Sequence, residues 1–230
     1  MAVVVAQLAA TVTDAVAGLT LVSNSATPGA NELNIIVVTA RNQDAAADPG
    51  IPSISGRNLT WTQGPSVTFA TSSRRRITLF YGIGASPSTG TVTCTYGVNV
   101  IGKIIDDLAT GIDTADSVID TNNDTAAGTS TSVAGLAFPN AFGAAGNAAY
   151  MAVHHIANEA TTHDSGGGFT EIGDEFAAQG GFMSQYQVAD VDAAASWATS
   201  ADYGAVCIEI KAAAAGTTTR RYSLPTIGVG

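Results

Sequence analysis

The chain has 230 residues, of which 46% are hydrophobic and 12% are charged, and 9 Lys and Arg against 19 Asp and Glu give a formal net charge of −10. The hydrophobic content excludes a chain that is disordered for lack of core-forming side chains, and the length allows one large β unit or two small domains. The acidic balance argues against a nucleic-acid binder and against docking on an anionic membrane, because both need clustered Lys and Arg.

The N-terminal segment is predicted to form one or two apolar strands outside the main fold. The first basic residue is Arg41, so the segment lacks the positively charged start of a Sec signal peptide. No stretch of the chain approaches the roughly 18 apolar residues of a membrane-spanning helix. The segment is expected to act as an extended arm, which either adds to the sheet edge of a neighbouring subunit or docks on its own fold.

Short apolar runs separated by clusters of Gly, Asn, Asp and Ser follow over most of the remaining chain. The runs 33–39, 76–81 and 150–156 combine β-branched and aromatic residues with alternating polarity, which predicts half-buried strands. Helical signals are poor, because the Ala-rich stretches are short and lie next to Pro or Gly. Many short strands without a βαβ rhythm predict an all-β fold, an antiparallel and jelly-roll-like β-sandwich.

The predicted sandwich carries a faint internal duplication of about five strands in each half. Leu59 aligns with Phe169 at an offset of 169 − 59 = 110 residues, and Ile104 aligns with Ile208 at 208 − 104 = 104. The difference between the offsets falls in loops, where changes of length cost little. The predicted boundaries are 1–30 for the N-terminal arm, 31–110 and 140–211 for the halves of a sandwich spanning 31–211, and 212–230 for the C-terminal tail.

One run has the spacing of a phosphate-binding loop. Residues 97–103 match Gly-x-x-x-x-Gly-Lys, but Ile104 follows where a hydroxyl should reach Mg²⁺. The interior of the run is β-branched and no helix follows it, so no helix N-terminus would bind a phosphate. The run is therefore predicted to be two strand segments with a turn near Gly102.

Several residues of chemically active type are predicted to be structural. Cys94 and Cys207 each lie in an apolar alternating run, which indicates buried free thiols and no disulfide framework. His154 and His155 are adjacent on a predicted strand, so their side chains should point to opposite faces and cannot easily share one metal ion. One histidine is expected to be hydrogen-bonded in or beside the core.

Three residues resemble the start of a calcium-binding loop, in which oxygen ligands alternate along the chain. They are Asp120, Asn122 and Asp124. The glycine expected after the third ligand is replaced by Thr125, and Thr131 stands where a bidentate Glu belongs. An Asx-rich turn explains the same residues. They are kept as weak calcium candidates, and no resident cofactor or metal is predicted.

The chain has one basic cluster, the arginine triplet before the second alternating run. Against an acidic background this triplet is expected to contact an acidic partner or to protect a sheet edge. The candidate partner-binding residues are Arg74, Arg75 and Arg76 and, in the C-terminal tail, Arg220, Arg221 and Tyr222.

The runs 58–63, 75–82, 167–173, 196–200 and 203–213 resemble sequences of virion surface proteins of tailed bacteriophages. The resemblance spans most of the predicted sandwich and implies a jelly-roll or concanavalin-like frame without catalytic residues. It implies a non-enzymatic structural subunit, such as a capsid decoration or head-surface protein, located in the virion and assembled in the host cytoplasm. The implied partners are the major capsid protein or other virion proteins and further copies of the chain, which the low charge density suits.

Two other functions remain open from the sequence. A carbohydrate-binding module, a lectin-like β-sandwich, would present exposed Trp or Tyr side chains beside loop acids. A glycoside hydrolase would need two facing carboxylates in one cleft. The acids available for that pair are Asp106, Asp107, Glu171, Asp174 and Glu175.

Overall fold

The computed structural model describes residues 1–70, 74–157, 163–177 and 180–214, and these residues contain twelve strands and no helix. The strands are β1 (Val4–Val22), β2 (Leu33–Asn42), β3 (Ser53–Gly56), β4 (Thr60–Phe69), β5 (Arg75–Ile83), β6 (Val92–Thr110), β7 (Val118–Leu136), β8 (Ala148–His155), β9 (Asp164–Ser165), β10 (Thr170–Ala177), β11 (Gly180–Gln187) and β12 (Ala193–Ile210). They form two antiparallel six-stranded sheets, which confirms the predicted all-β sandwich. Within those residues no helix is long and apolar enough to span a membrane.

Each sheet is built from one half of the chain. The first sheet has the strand order β1-β6-β2-β5-β4 with β3 paired to β6, and the second has β7-β12-β8-β11-β10 with β9 paired to β12. Adding six to every strand number converts the first order into the second, so the predicted duplication is confirmed in the topology. The sheets also meet through β1 with β10 and through β4 with β7. Exchanging the halves interconverts these two contacts, as in a two-fold symmetric dimer.

The duplication includes more of the chain than predicted. β1 is the counterpart of β7 and pairs with β6 from Val4 opposite Thr110 to Val22 opposite Thr93. The N-terminal segment is therefore an integral strand of the first sheet, which confirms the predicted strand and, of the two alternatives for the arm, docking on its own fold. Its 19 residues match the 19 residues of β6 in length, so it can line the whole of that strand. Each half has six strands instead of about five, and the C-terminal tail from residue 215 lies outside the described residues.

The long strands fold back over their own sheet. The Arg57 side chain follows β3 and donates to the Gly90 carbonyl at 3.1 Å and to the Asp106 carboxylate at 2.8 Å. A straight strand would separate residues 90 and 106 by about 50 Å, so β6 turns back between them. β1 behaves in the same way, because the Asn24 side-chain amide donates to the Ala10 carbonyl at 3.0 Å.

This folding produces three apolar layers. Val37 and Ile208 belong to a central cluster between the two sheets. Val38 and Cys94 belong to a cluster on the outer side of the first sheet, and Met151 to one on the outer side of the second. β2 and β8 are consequently buried on both faces. The prediction of half-buried strands is wrong here, because each half covers its own outer face.

The side-chain pattern corrects the alignment of the two halves. Ile104 contributes to the outer cluster of the first half, whereas Ile208 contributes to the central cluster. Successive residues of a strand point to opposite faces, so the offset in this region must be an odd number. Ile105, which lies in the central cluster, aligns with Ile208 at 208 − 105 = 103. The same offset places Glu209 at the position of Asp106.

The run with the phosphate-loop spacing, residues 97–103, lies inside β6, which confirms the prediction that it is strand. The predicted turn at Gly102 is wrong, since Gly102 stays in the ladder with β2. A Cβ atom at Gly102 would collide with the Thr39 carbonyl oxygen. The glycine therefore permits close packing of two strands.

The cysteines and the two adjacent histidines lie where alternation along the strands predicts. Cys94 and Cys207 are buried free thiols, and burial raises the pKa of each to about 12. His154 and His155 point to opposite faces of β8: His154 lies 2.8 Å from the Thr39 hydroxyl between the sheets, and His155 lies in the outer layer.

Two buried ionisable residues of β6 bond to the opposite sheet. The Tyr150 hydroxyl donates to the Asp107 carboxylate at 2.8 Å. Lys103 donates to the carbonyls of Gly180 at 2.5 Å and Glu175 at 3.3 Å. Desolvation raises the pKa of Asp107 to about 7 and lowers the pKa of Lys103 to about 8.

The raised pKa of Asp107 predicts a pH dependence of stability. The unfolded chain binds this proton only below about pH 4 and the folded chain binds it up to about pH 7, so the stabilising contribution is full at low pH and is lost as pH rises through 7. We expect Asp107→Asn to remove a decrease of up to about 4 kcal/mol in the free energy of unfolding between pH 4 and 8. Urea unfolding of both proteins at pH 4, 6 and 8 measures this decrease in the free energy of unfolding.

Asp164→Asn, at an exposed position, is the control and should keep the pH profile of the original chain. Parallel profiles for Asp107→Asn and the original chain would show that Asp107 does not titrate in this range.

Candidate functional site

The most exposed apolar surface lies on β1, the edge strand of the first sheet. The register with β6 breaks between Asp14 and Gly18, so the three residues between them bulge outward. The Asp14 carboxylate accepts the Val16 N–H at 2.9 Å and holds the bulge. Val16 is 76% exposed, and further along the strand Leu19 is 53% and Val22 39% exposed. We call Val16, Leu19 and Val22 the β1 strip.

Apart from the bulge, β1 carries few of the side chains that protect an edge strand. Edge strands usually carry Lys, Pro or several charges that prevent pairing with another chain. β1 has Asp14 as its single charged residue and contains no proline. The equivalent edge strand β7 exposes no large aliphatic side chain among its described residues. The β1 strip is therefore specific to the first half and suited to contact with another molecule.

The structure divides the predicted arginine cluster. Arg75 is buried, and desolvation lowers its pKa to about 10. Arg76 forms an ion pair with Asp48, in which its Nε lies 2.9 Å from the carboxylate. Arg74 lines a cavity of about 380 Å³ together with Asp202. Alternation along the strand points Arg75 away from its two neighbours, and both neighbours help to lower the pKa of Asp48. The tail candidates Arg220, Arg221 and Tyr222 lie outside the described residues.

The three calcium candidates do not converge. They lie inside β7, so the alternative of an Asx-rich turn is wrong. Asp120 accepts a hydrogen bond from the Tyr81 hydroxyl, and Asn122 donates to the Glu209 carboxylate. Asp124 accepts the N–H of the next residue at 2.7 Å. The described part of the chain holds no group of three or more His, Cys, Asp or Glu placed to bind a metal ion.

The acids considered for a hydrolase do not meet in a described cavity. Asp106 and Asp107 are neighbours on β6, so their side chains point to opposite faces. Asp106 forms an ion pair with Arg57. The Asp174 carboxylate lies 2.7 Å from the ring Nδ1 of His163 and accepts a hydrogen bond from the His163 backbone N–H at 2.9 Å. Four cavities among the described residues are lined by none of the five candidate acids.

Neither indole forms an exposed platform for a sugar. Trp197 is 4% exposed and stacks on His155, with ring centroids 4.8 Å apart. Trp61 packs against the outer cluster of the first half and donates to the Gly56 carbonyl at 3.3 Å. These aromatic side chains stabilise the apolar layers.

The buried ion pair between Arg57 and Asp106 joins distant parts of the first half. Arg57 Nη1 donates to Asp106 Oδ1 at 2.8 Å, and the guanidinium also reaches the Asn24 carbonyl at 3.4 Å. Burial raises the pKa of Asp106, against the opposing effect of Arg57. Sequence analysis missed this pair, because nothing local links an arginine in a turn to a strand acid 49 residues away.

The equivalent acid of the second half, Glu209, has a different environment. It is 2% exposed and accepts hydrogen bonds from Asn122 and, at 2.6 Å, from Asn147. The Asn122 side-chain oxygen in turn accepts the Asn140 N–H at 2.9 Å. Glu209 lies at the wall of a cavity of about 580 Å³. Sequence analysis missed this site, although it singled out Asn122.

No family model, curated protein or solved structure matches the chain. Two features offer chemistry to another molecule: the β1 strip and the cavity beside Glu209.

The buried ion pair predicts an asymmetric response to substitution. Arg57→Met leaves Asp106 buried without its cation, which should reduce the free energy of unfolding by about 3–5 kcal/mol. The double variant Arg57→Met/Asp106→Leu removes both charges and should recover most of that loss. Urea denaturation of the three proteins measures the difference.

Arg76→Met is the matched control, because its ion pair with Asp48 is partly exposed and should contribute about 1 kcal/mol or less. An equal loss in Arg57→Met and Arg76→Met would contradict the special role of the buried pair.

Proposed function

We propose that this chain is a non-enzymatic structural protein of a virion surface, a capsid decoration or head-surface subunit of a tailed bacteriophage. It binds the capsid lattice, copies of itself or both. The virion setting comes from the sequence resemblance, in particular the runs 58–63 and 75–82. The observation that carries the mode of contact is the β1 strip on an edge strand without protecting charges.

The β1 strip supplies two kinds of interaction. Away from the bulge that Asp14 holds, the outer N–H and C=O groups of an edge strand can pair with a strand of another subunit. The exposed aliphatic side chains gain about 1.5–3 kcal/mol each when a partner buries them fully. Because Asp14 is the single charge of β1, repulsion between neighbouring copies is weak at this edge although the whole chain carries −10.

The two alternatives have less support. A glycan-binding module requires exposed aromatic platforms, whereas both indoles are packed in the outer apolar layers. A glycosidase requires facing carboxylates in a cleft, and none of its five candidate acids lines the four cavities.

Purified particles provide the direct test. We expect mass spectrometry of the particles to find this chain at a fixed ratio to the major capsid protein, and electron cryo-microscopy to place it on the outer surface. A chain that stays a soluble monomer and is absent from purified particles would overturn the proposal.

Substitution tests the β1 strip itself. Val16→Lys/Leu19→Lys should weaken attachment to particles or self-association about 100-fold or more, because two desolvated aliphatic side chains become charged. The melting temperature should change little, since both positions are exposed. Sedimentation with particles and analytical ultracentrifugation measure the two kinds of binding.

Ile51→Lys is the matched control, because Ile51 is 44% exposed and lies outside β1. Its binding should equal that of the original chain. Unchanged binding by the double variant would show that β1 is not the contact surface.

A further inference from the structure

The two halves place a buried carboxylate at the same position of the fold. Asp106 on β6 pairs with a residue of β2 that lies two positions after Asn34. In the same way, Glu209 on β12 pairs with a residue of β8 that lies two positions after Asn147. Asp106 is 1% exposed and Glu209 is 2% exposed. The duplicated topology therefore repeats both an acid and a neighbouring asparagine.

The turn that presents Arg57 also recurs, but without the arginine. In the first half the Leu59 N–H donates to the Gly56 carbonyl at 3.3 Å, and in the second half the same bond joins Phe169 to Gly166 at 2.9 Å. Gly166 is followed by another glycine where Gly56 is followed by Arg57. The second half thus has no guanidinium at this position.

Glu209 also lacks a substitute cation. Its two hydrogen-bond donors are neutral amides, which satisfy the oxygen atoms without cancelling the charge. Lys211, on the same wall of the cavity, lies 3.3 Å from Asp116 and 3.5 Å from Asp113. No ion pair to Glu209 occurs among the residues that the structure describes. The Met1 ammonium lies 3.2 Å from the Ala213 carbonyl at the rim of the same cavity. Glu209, Asp113 and Asp116 against Lys211 and this ammonium leave the region with an excess of one negative charge.

The cavity beside Glu209 has room for a ligand with an apolar body. Its volume of about 580 Å³ lies within the range of small-molecule sites. Ile119, Ala141, Ala144 and Ala212 supply apolar wall surface, while Glu209 supplies the buried charge.

We propose that this cavity is a binding site for an alkyl guanidinium or alkyl ammonium group, which neutralises Glu209 as Arg57 neutralises Asp106. The ligand is either a basic side chain of a partner polypeptide or a free alkyl amine, and both present the same chemistry. This site does not depend on the virion assignment, because its binding is measured on the isolated chain.

Titration calorimetry with n-butylguanidinium tests the site, with n-butylurea as a neutral ligand of the same shape. We expect n-butylguanidinium to bind with a Kd of about 1 mM or tighter and n-butylurea to bind at least tenfold more weakly. Equal binding of the two compounds, or no binding of n-butylguanidinium, would overturn the proposal.

Two variants locate the binding. Glu209→Gln keeps the shape of the side chain and should weaken n-butylguanidinium binding at least tenfold, while Glu171→Gln, at an exposed position on β10, should leave it unchanged. Ala144→Leu fills the cavity and keeps Glu209, so it gives a second result if Glu209→Gln does not fold. Unchanged affinity in a folded Glu209→Gln or Ala144→Leu variant would refute the site.

A capped Ala-Ala-Arg-Ala-Ala peptide identifies the source of the cation. Binding of the peptide at least as tight as that of n-butylguanidinium supports a basic side chain of a partner polypeptide. Binding of the free compound alone supports a small amine ligand.

Discussion

Burial of β2 and β8 on both faces is the constraint on which the rest of the structure depends. A strand with two apolar faces must be covered twice, and neither half of this chain can provide both covers with a flat sheet. Each half covers its outer face by folding its long strands back, and the inner faces cover each other. The Arg57–Asp106 pair holds this folded-back shape in the first half by joining two ends of β6.

The result is a molecule that resembles a symmetric dimer joined into one chain. Its two edge contacts, β1 with β10 and β4 with β7, are interchanged when the halves are exchanged. The chemistry of the halves has nevertheless diverged. The first half seals its buried acid with an arginine and exposes the aliphatic β1 strip, whereas the second leaves Glu209 beside a cavity. We propose contacts with other molecules at the β1 strip and at the cavity beside Glu209, because the residues that the two halves share are packed inside the sandwich.

Local patterns accounted for the parts of the structure that depend on nearby residues. The opposite orientation of His154 and His155 and the burial of both cysteines follow from alternation along a strand. The role of β1 did not follow, because a run of Ala, Thr and Val without regular alternation does not show which strand it pairs with. The one-residue error at Ile104 arose in the same way, since sequence similarity between two β-rich halves does not identify the buried face.

By itself the sequence determined the all-β class and the existence of a duplication. Hydrophobic patterning and turn residues act over a few positions, so these properties can be read without knowing the remaining contacts. Only the tertiary structure decided which acid meets a cation and which edge stays exposed. Arg57 and Asp106 are 49 residues apart, and Asn122 and Glu209 are 87 residues apart. Contacts over such separations depend on strand register and on the folding back of long strands, and neither is encoded in any short segment.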